Sequence, residues 1–147
     1  MAASAKVQQA QAFITESFGY SIQDAALVHE AIDTTGLCRI YSTEANKRLA
    51  MVGDKALEST IISAWYPTGA PRGECSSQVQ TRLRNENLAD VAETLGLDRY
   101  LILHPGQLGR VSRKTLATGL EAIFGAIYRD SGEQISVVRE AMDFVGI

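Results

Sequence analysis

Two acids, Asp54 and Glu121, stand inside runs that otherwise read as buried helix, and carboxylates so placed are candidates to hold a metal cation. Asp54 lies in NKRLAMVGDKALESTIISAW, Asn46 to Trp65, where Leu49, Val52, Ala56, Leu57, Ile61 and Trp65 mark a core-facing helix. Gly53 precedes it, and glycine in a helix interior costs about 1 kcal/mol relative to alanine. Its presence there predicts a close helix–helix approach. A carboxylate beside such a contact needs a cation, a hydrogen-bond donor or a metal. Glu121 lies in TLATGLEAIFGAIYRDSG, Thr115 to Gly132, among Leu116, Leu120, Ile123 and Ile127, whose spacing is that of one buried helical face. Taken singly, each acid also fits a half-exposed residue paired with a nearby Lys or Arg. Together, on the two most apolar helices, they predict packing that brings Asp54 and Glu121 to one site.

The elements that must position them are helical. Apolar residues recur at three and four, strand signals are almost absent, and the pattern predicts an all-α fold of about eight helices. Val7 to Phe18 forms one stripe, and Ser21 to Asp24 opens a second helix that Thr34-Thr35-Gly36 ends. A loop from about Gly36 to Thr43 precedes a long helix, Ala45 to Trp65, stopped by Pro67. Pro67 to Glu74 reads as loop, with Ser76 or Ser77 capping a helix to about Asn85. Leu88 to Leu95 is a short amphipathic helix ended by Gly96, Asp98 to Leu103 a tight turn or 3₁₀ piece, and Pro105-Gly106 a turn. Lys114 to Arg129 and Gln134 to Phe144 complete the set. No repeat, low-complexity tract or linker interrupts the chain, which predicts a single domain over 1–147.

Composition narrows the function classes. The chain has 147 residues, 46% of them hydrophobic and 21% charged, with a formal net charge of −3. A protein that grips nucleic acid by phosphate neutralisation alone has a basic excess, so any nucleic-acid contact must come from local basic patches, a metal or a partner. No run reaches the roughly 20 apolar residues of a membrane span. The first residues lack the order of a secretory signal, and an intracellular protein without a membrane partner is expected. Cys38 and Cys75 read as buried or half-buried thiols, and with the isolated His29 and His104 they make no zinc pattern.

Two motifs carry a family resemblance. Gly53-Asp54 within NKRLAMVGDKALE resembles the ribonuclease III signature, an Asn-Glu-Arg-Leu-Glu-Phe-Leu-Gly-Asp-like run that opens a long central helix. LEAIFGAIYRDSG, Leu120 to Gly132, is similar to the second family segment, Glu-Ala-Leu-x-Gly-Ala-x-Tyr-x-Asp-Ser-Gly. FGYSIQDAALVHEAI, NENLADVAETLGLDRYLIL and Pro105-Gly106 resemble its flanking pieces, so the likeness is collinear from about Phe18 to Gly132. It implies a ribonuclease III-like endonuclease domain that hydrolyses double-stranded RNA with Mg²⁺ (or Mn²⁺) and works as a dimer. Two metals would stabilise the attacking and leaving oxygens of an in-line displacement.

The resemblance supplies a Glu and an Asp from the signature helix and an Asp and a Glu from the later helix. Here those four positions are Ala50, Asp54, Thr118 and Glu121, so one acid of each pair survives. Lys47 stands at the Glu of the family's Asn-Glu-Arg opening, and Arg72 near a further acid of the following loop. Asp54 and Glu121 are therefore the candidate catalytic residues and metal ligands, with Glu58 as a possible substitute ligand. Met51 stands where the family inserts an aromatic side chain into a partner subunit, and it also fits ordinary core. Arg110, Arg113 and Lys114 are candidate RNA contacts or a solvated face. Two functions stay open: an RNA-processing endonuclease of weak, altered or lost activity, or a non-catalytic RNA-binding or heterodimerising subunit, for example of a ribonucleoprotein. No double-stranded RNA-binding domain is expected within these residues, so A-form RNA would be read by the helical domain alone or with a partner chain, in a homodimer or heterodimer.

Overall fold

The computed structural model describes residues 4–37, 44–107 and 109–147, so Cys38, expected as a buried thiol, and most of the loop from Gly36 to Thr43 lie outside them. Among the described residues seven α-helices carry the fold: α1 Ala5–Phe18, α2 Ala25–Ile32, α3 Lys47–Trp65, α4 Arg72–Leu83, α5 Asn85–Leu95, α6 Arg113–Asp130 and α7 Ile135–Val145. Short 3₁₀ turns occupy Tyr66–Thr68 and Leu97–Tyr100. The expected all-α class holds, and an isolated parallel bridge between Asp33 and Ile102 is the strand-like contact found.

Local chemistry sets most of the helix ends. Ser4, Asp24 and Ser112 cap α1, α2 and α6 by accepting from the backbone N–H of Val7, Ala26 and Thr115. Gly96 closes α5 at φ 76°, in the left-handed region glycine tolerates. The second helix starts at Ala25 rather than Ser21, because Asp24 is its cap. The larger correction falls between Pro67 and Asn85. The segment expected as loop is mostly helical, and α4 begins at Arg72, ahead of Ser76 and Ser77. Pro71, whose ring fixes φ near the value a helix start requires, occupies the cap position. Arg84 alone, extended at φ −63° and ψ 149°, then separates α4 from α5.

The core gathers around α6, in which Leu116, Leu120, Ile123, Phe124 and Ile127 are all buried. Its C-terminal end is tied to the connection before α2 by Asp130, whose carboxylate accepts from Tyr20 Oη at 2.8 Å, Gln23 N at 3.1 Å and Asp24 N at 3.0 Å. Burial, then the hydrogen bond and charge of Asp130, push the Tyr20 phenol up to about 12.

The contact that positions the site is the crossing of α3 and α6. A Cβ added to Gly53 would lie 1.8 Å from the Glu121 carbonyl oxygen, and one added to Gly125 would lie 2.2 Å from the Leu49 carbonyl oxygen. Backbone meets backbone there, as the glycine in the signature run predicts. Helix propensity alone would make Gly53→Ala stabilising by about 1 kcal/mol. The crossing reverses that sign, and urea denaturation should show a loss of about 2 kcal/mol or more from overpacking. A neutral or stabilised Gly53→Ala protein would contradict the contact.

Candidate active site

Asp54 follows Gly53 on α3, and Glu121 is the residue whose carbonyl Gly53 touches on α6. The glycine contact therefore places both acids at one crossing, and their side chains are close enough to share a hydrogen bond. Asp54 keeps 42% of its side chain exposed, while Glu121 is mostly buried. Burial first, then the charge of Asp54 and the hydrogen bond to it, raise the Glu121 carboxyl to about 7. Near neutral pH Glu121 is therefore only partly ionised, because burial and the adjacent Asp54 both oppose its negative charge.

Its surroundings are sparse in further ligands. Among the described residues no group of three His, Cys, Asp or Glu side chains is placed to hold a metal ion. Glu58 does not join the pair in such a cluster. It is bound instead to Lys55 Nζ at 3.2 Å, and the same ammonium lies 3.8 Å from Asp54. Lys55 was not singled out by sequence, although its place between two acids one turn apart is a signal for ion pairing. Ala50 is buried and Thr118 half-buried, so neither position supplies a carboxylate.

The other candidates separate. Met51 is 71% exposed, which excludes it from the core of this chain. It borders a surface hollow of about 320 Å³ that includes Val52, Ala56 and Tyr128. Arg110 and Arg113 are engaged with α5. Arg110 pairs with Glu93 at 2.9 Å, and Arg113 pairs with Glu93 at 2.8 Å, Glu86 at 3.3 Å and Asp90. That acidic stripe, spaced four and three along α5, offsets both guanidinium charges. Lys114, the third member of the basic run, turns away into a cleft beside Lys47 and Thr118.

The comparisons bear on this geometry. Residues 47–132, the span that holds both acids and the glycine crossing, match the model of the Ribonuclease III domain. The chain belongs to the ribonuclease III domain family. Ribonuclease 3 of Vibrio vulnificus strain YJ016 is 34% identical over 131 residues, covering 86% of this chain and 56% of the relative. Ribonuclease 3 of Thiobacillus denitrificans is 32% identical over 137 residues, covering 88% of this chain and 59% of the relative. The chain thus spans little more than half the length of these curated relatives. The nuclease domain of ribonuclease III from Campylobacter jejuni, described for structural flexibility in its dimer-forming region, superposes with a TM-score of 0.77. That match covers 90% of this chain and 94% of that one at 21% identity, and it shows a shared fold. No helix of the described residues is long and apolar enough to cross a membrane.

The raised Glu121 pKa has a stability consequence. The folded state holds the proton up to about 7, whereas the unfolded chain releases it near 4.5. The native state therefore binds the extra proton, and stability from this group, complete below the unfolded pKa, is lost as pH rises toward 7. At about 1.4 kcal/mol per unit, reduced for the water around Asp54, the loss is on the order of 2 kcal/mol. Glu121→Gln should flatten that part of a stability-versus-pH curve measured by urea denaturation. Parallel curves for the two proteins between pH 4.5 and 7 would disprove the coupling.

Proposed function

We propose that this chain is the ribonuclease III-type nuclease domain of an RNA-processing protein, acting on double-stranded RNA at the Asp54–Glu121 pair with activity far below that of a four-carboxylate site. The observation that carries the proposal is the meeting of these two acids at the α3–α6 crossing. The donor set fits one Mg²⁺ (or Mn²⁺) that keeps most of its water, since such ions are commonly held by one or two carboxylates. It does not fit two ions, because no third ligand joins the pair among the described residues. When bound, the ion would supply Lewis-acid stabilisation of a phosphoryl oxygen. Asp54 and Glu121 would hold it, and Glu121 must first give up its proton. Lys55, beside Asp54, competes for the same negative charge.

The exposed Met51 supports pairing through this face of α3, in a homodimer or with another ribonuclease III-type subunit. An apolar side chain this exposed beside a hollow is what a self-complementary interface requires. The second reading, a non-catalytic RNA-binding or heterodimerising subunit such as a ribonucleoprotein component, is favoured by the missing third ligand.

Incubation of a long RNA duplex with the protein in Mg²⁺ or Mn²⁺ separates the two. Slow cleavage is expected, rising with pH through about 7 as Glu121 deprotonates. Asp54→Ala and Glu121→Ala should each abolish it. No cutting with either metal, or equal cutting by both variants, overturns the hydrolytic reading in favour of the non-catalytic one. Sedimentation of the same preparations reports the pairing: two chains are expected, and one after Met51→Asp. A wild-type protein that sediments as one chain would exclude self-pairing.

A further inference from the structure

The cleft into which Lys114 turns is distinct in chemistry from the acid pair. It has a volume of about 280 Å³ and lies between the first turns of α3 and α6, with Lys47, Lys114, Thr34, Thr115, Thr118 and Asn46 in its wall. Among the described residues no carboxylate lines it. Both lysines are exposed, and neither has a salt-bridge partner among the described residues. Their state contrasts with Arg110 and Arg113, whose charge Glu86, Asp90 and Glu93 already offset.

The hydroxyls divide by what each has left to give. Thr34 Oγ1 has committed its proton to the Ile102 carbonyl at 2.6 Å and serves as wall. Thr115 Oγ1 accepts from Ser112 Oγ at 2.9 Å, which leaves its own proton available. Thr118 Oγ1 has no hydrogen-bond partner among the described residues. Asn46 is fixed by donating to the Ala31 carbonyl at 3.0 Å and holds the start of α3 in place. Among the described residues, two ammonium groups without a salt-bridge partner and two hydroxyl donors thus line a space with no carboxylate in its wall.

We infer that this cleft is a metal-independent site for a phosphate group of the RNA backbone, bound by Lys47 and Lys114 with Thr115 and Thr118 as hydrogen-bond donors. The source of the phosphate rests on the function proposed above, while the affinity for phosphate does not. The cleft adjoins the acid pair by helix spacing. Lys47, Ala50 and Asp54 lie along one stripe of α3, and Lys114, Thr118 and Glu121 along one stripe of α6. Lys47 is thus about 10 Å along the helix axis from Asp54. Fixed ammonium groups place positive charge beside the acids with no ion to recruit, and lysine binds phosphate well as a point charge. In a chain of net charge −3 this local excess is where a polyanion can approach.

The test measures binding of a short RNA duplex in EDTA by fluorescence anisotropy, for wild type and for Lys47→Gln, Lys114→Gln and the double variant. Arg139→Gln, an exposed charge on α7, is the control for net charge, and thermal melts confirm folding. Each lysine variant should weaken binding about tenfold, as expected for losing a charge-assisted hydrogen bond. The double variant should lower the salt-dependence slope by about one. Arg139→Gln should do neither. A double variant that binds like wild type, or like the Arg139→Gln protein, overturns the site. Inorganic phosphate, followed by amide NMR shifts at the cleft residues, separates the two sources. Lysine-dependent shifts without duplex binding would uphold the phosphate site and remove RNA as its ligand. No shift and no duplex binding would overturn it outright.

Discussion

The close approach of α3 and α6 is the constraint on which the rest of the molecule depends. Gly53 and Gly125 let two backbones touch where any Cβ would collide with a carbonyl oxygen. Glycine lowers the intrinsic stability of both helices there, and burial of the apolar face of α6 offsets that cost. The same contact fixes the residue after Gly53 and the residue opposite it within reach of each other. Asp54 and Glu121 are neighbours because of the glycines, and the acid chemistry is a consequence of the packing.

Once brought together, the acids behave as a unit. Burial and the charge of Asp54 oppose ionisation of Glu121 up to about pH 7, so below neutrality the pair lacks its full negative charge. A cation must compete with the Glu121 proton and with Lys55. One turn along each helix the chemistry inverts. Alanine and threonine stand where the family resemblance supplies acids, and lysines line the cleft beyond. The crossing therefore carries an acidic end suited to a cation and a basic end suited to an anion. A phosphodiester beside a divalent ion has that same complement of charges.

Much of this was legible in the residues. A glycine next to an acid inside an apolar helix pointed to both the contact and the site, because each is costly without a specific neighbour. Gly96 marked the end of α5 correctly, whereas the caps Ser4 and Asp24 were not singled out from the residues. The start of α4 was misread because Pro71 and Gly73 look like loop, yet proline suits a helix start and Gly73 sits in an open first turn. The break at Arg84 leaves no mark in the sequence, since it is a single extended residue of ordinary type. Tertiary partners decided the basic run. The acids of α5 claim Arg110 and Arg113, and only their spacing along that helix hinted at it.

The central claim, that one helix crossing couples Asp54 to Glu121, is tested most directly by carboxyl-carbon NMR titration of Glu121 in the wild-type protein and in Asp54→Asn. The account predicts a wild-type midpoint near 7 that falls when Asp54 loses its charge, without returning fully to 4.5 because burial remains the larger cause. A wild-type midpoint at the ordinary glutamate value, or one indifferent to Asp54→Asn, would contradict it.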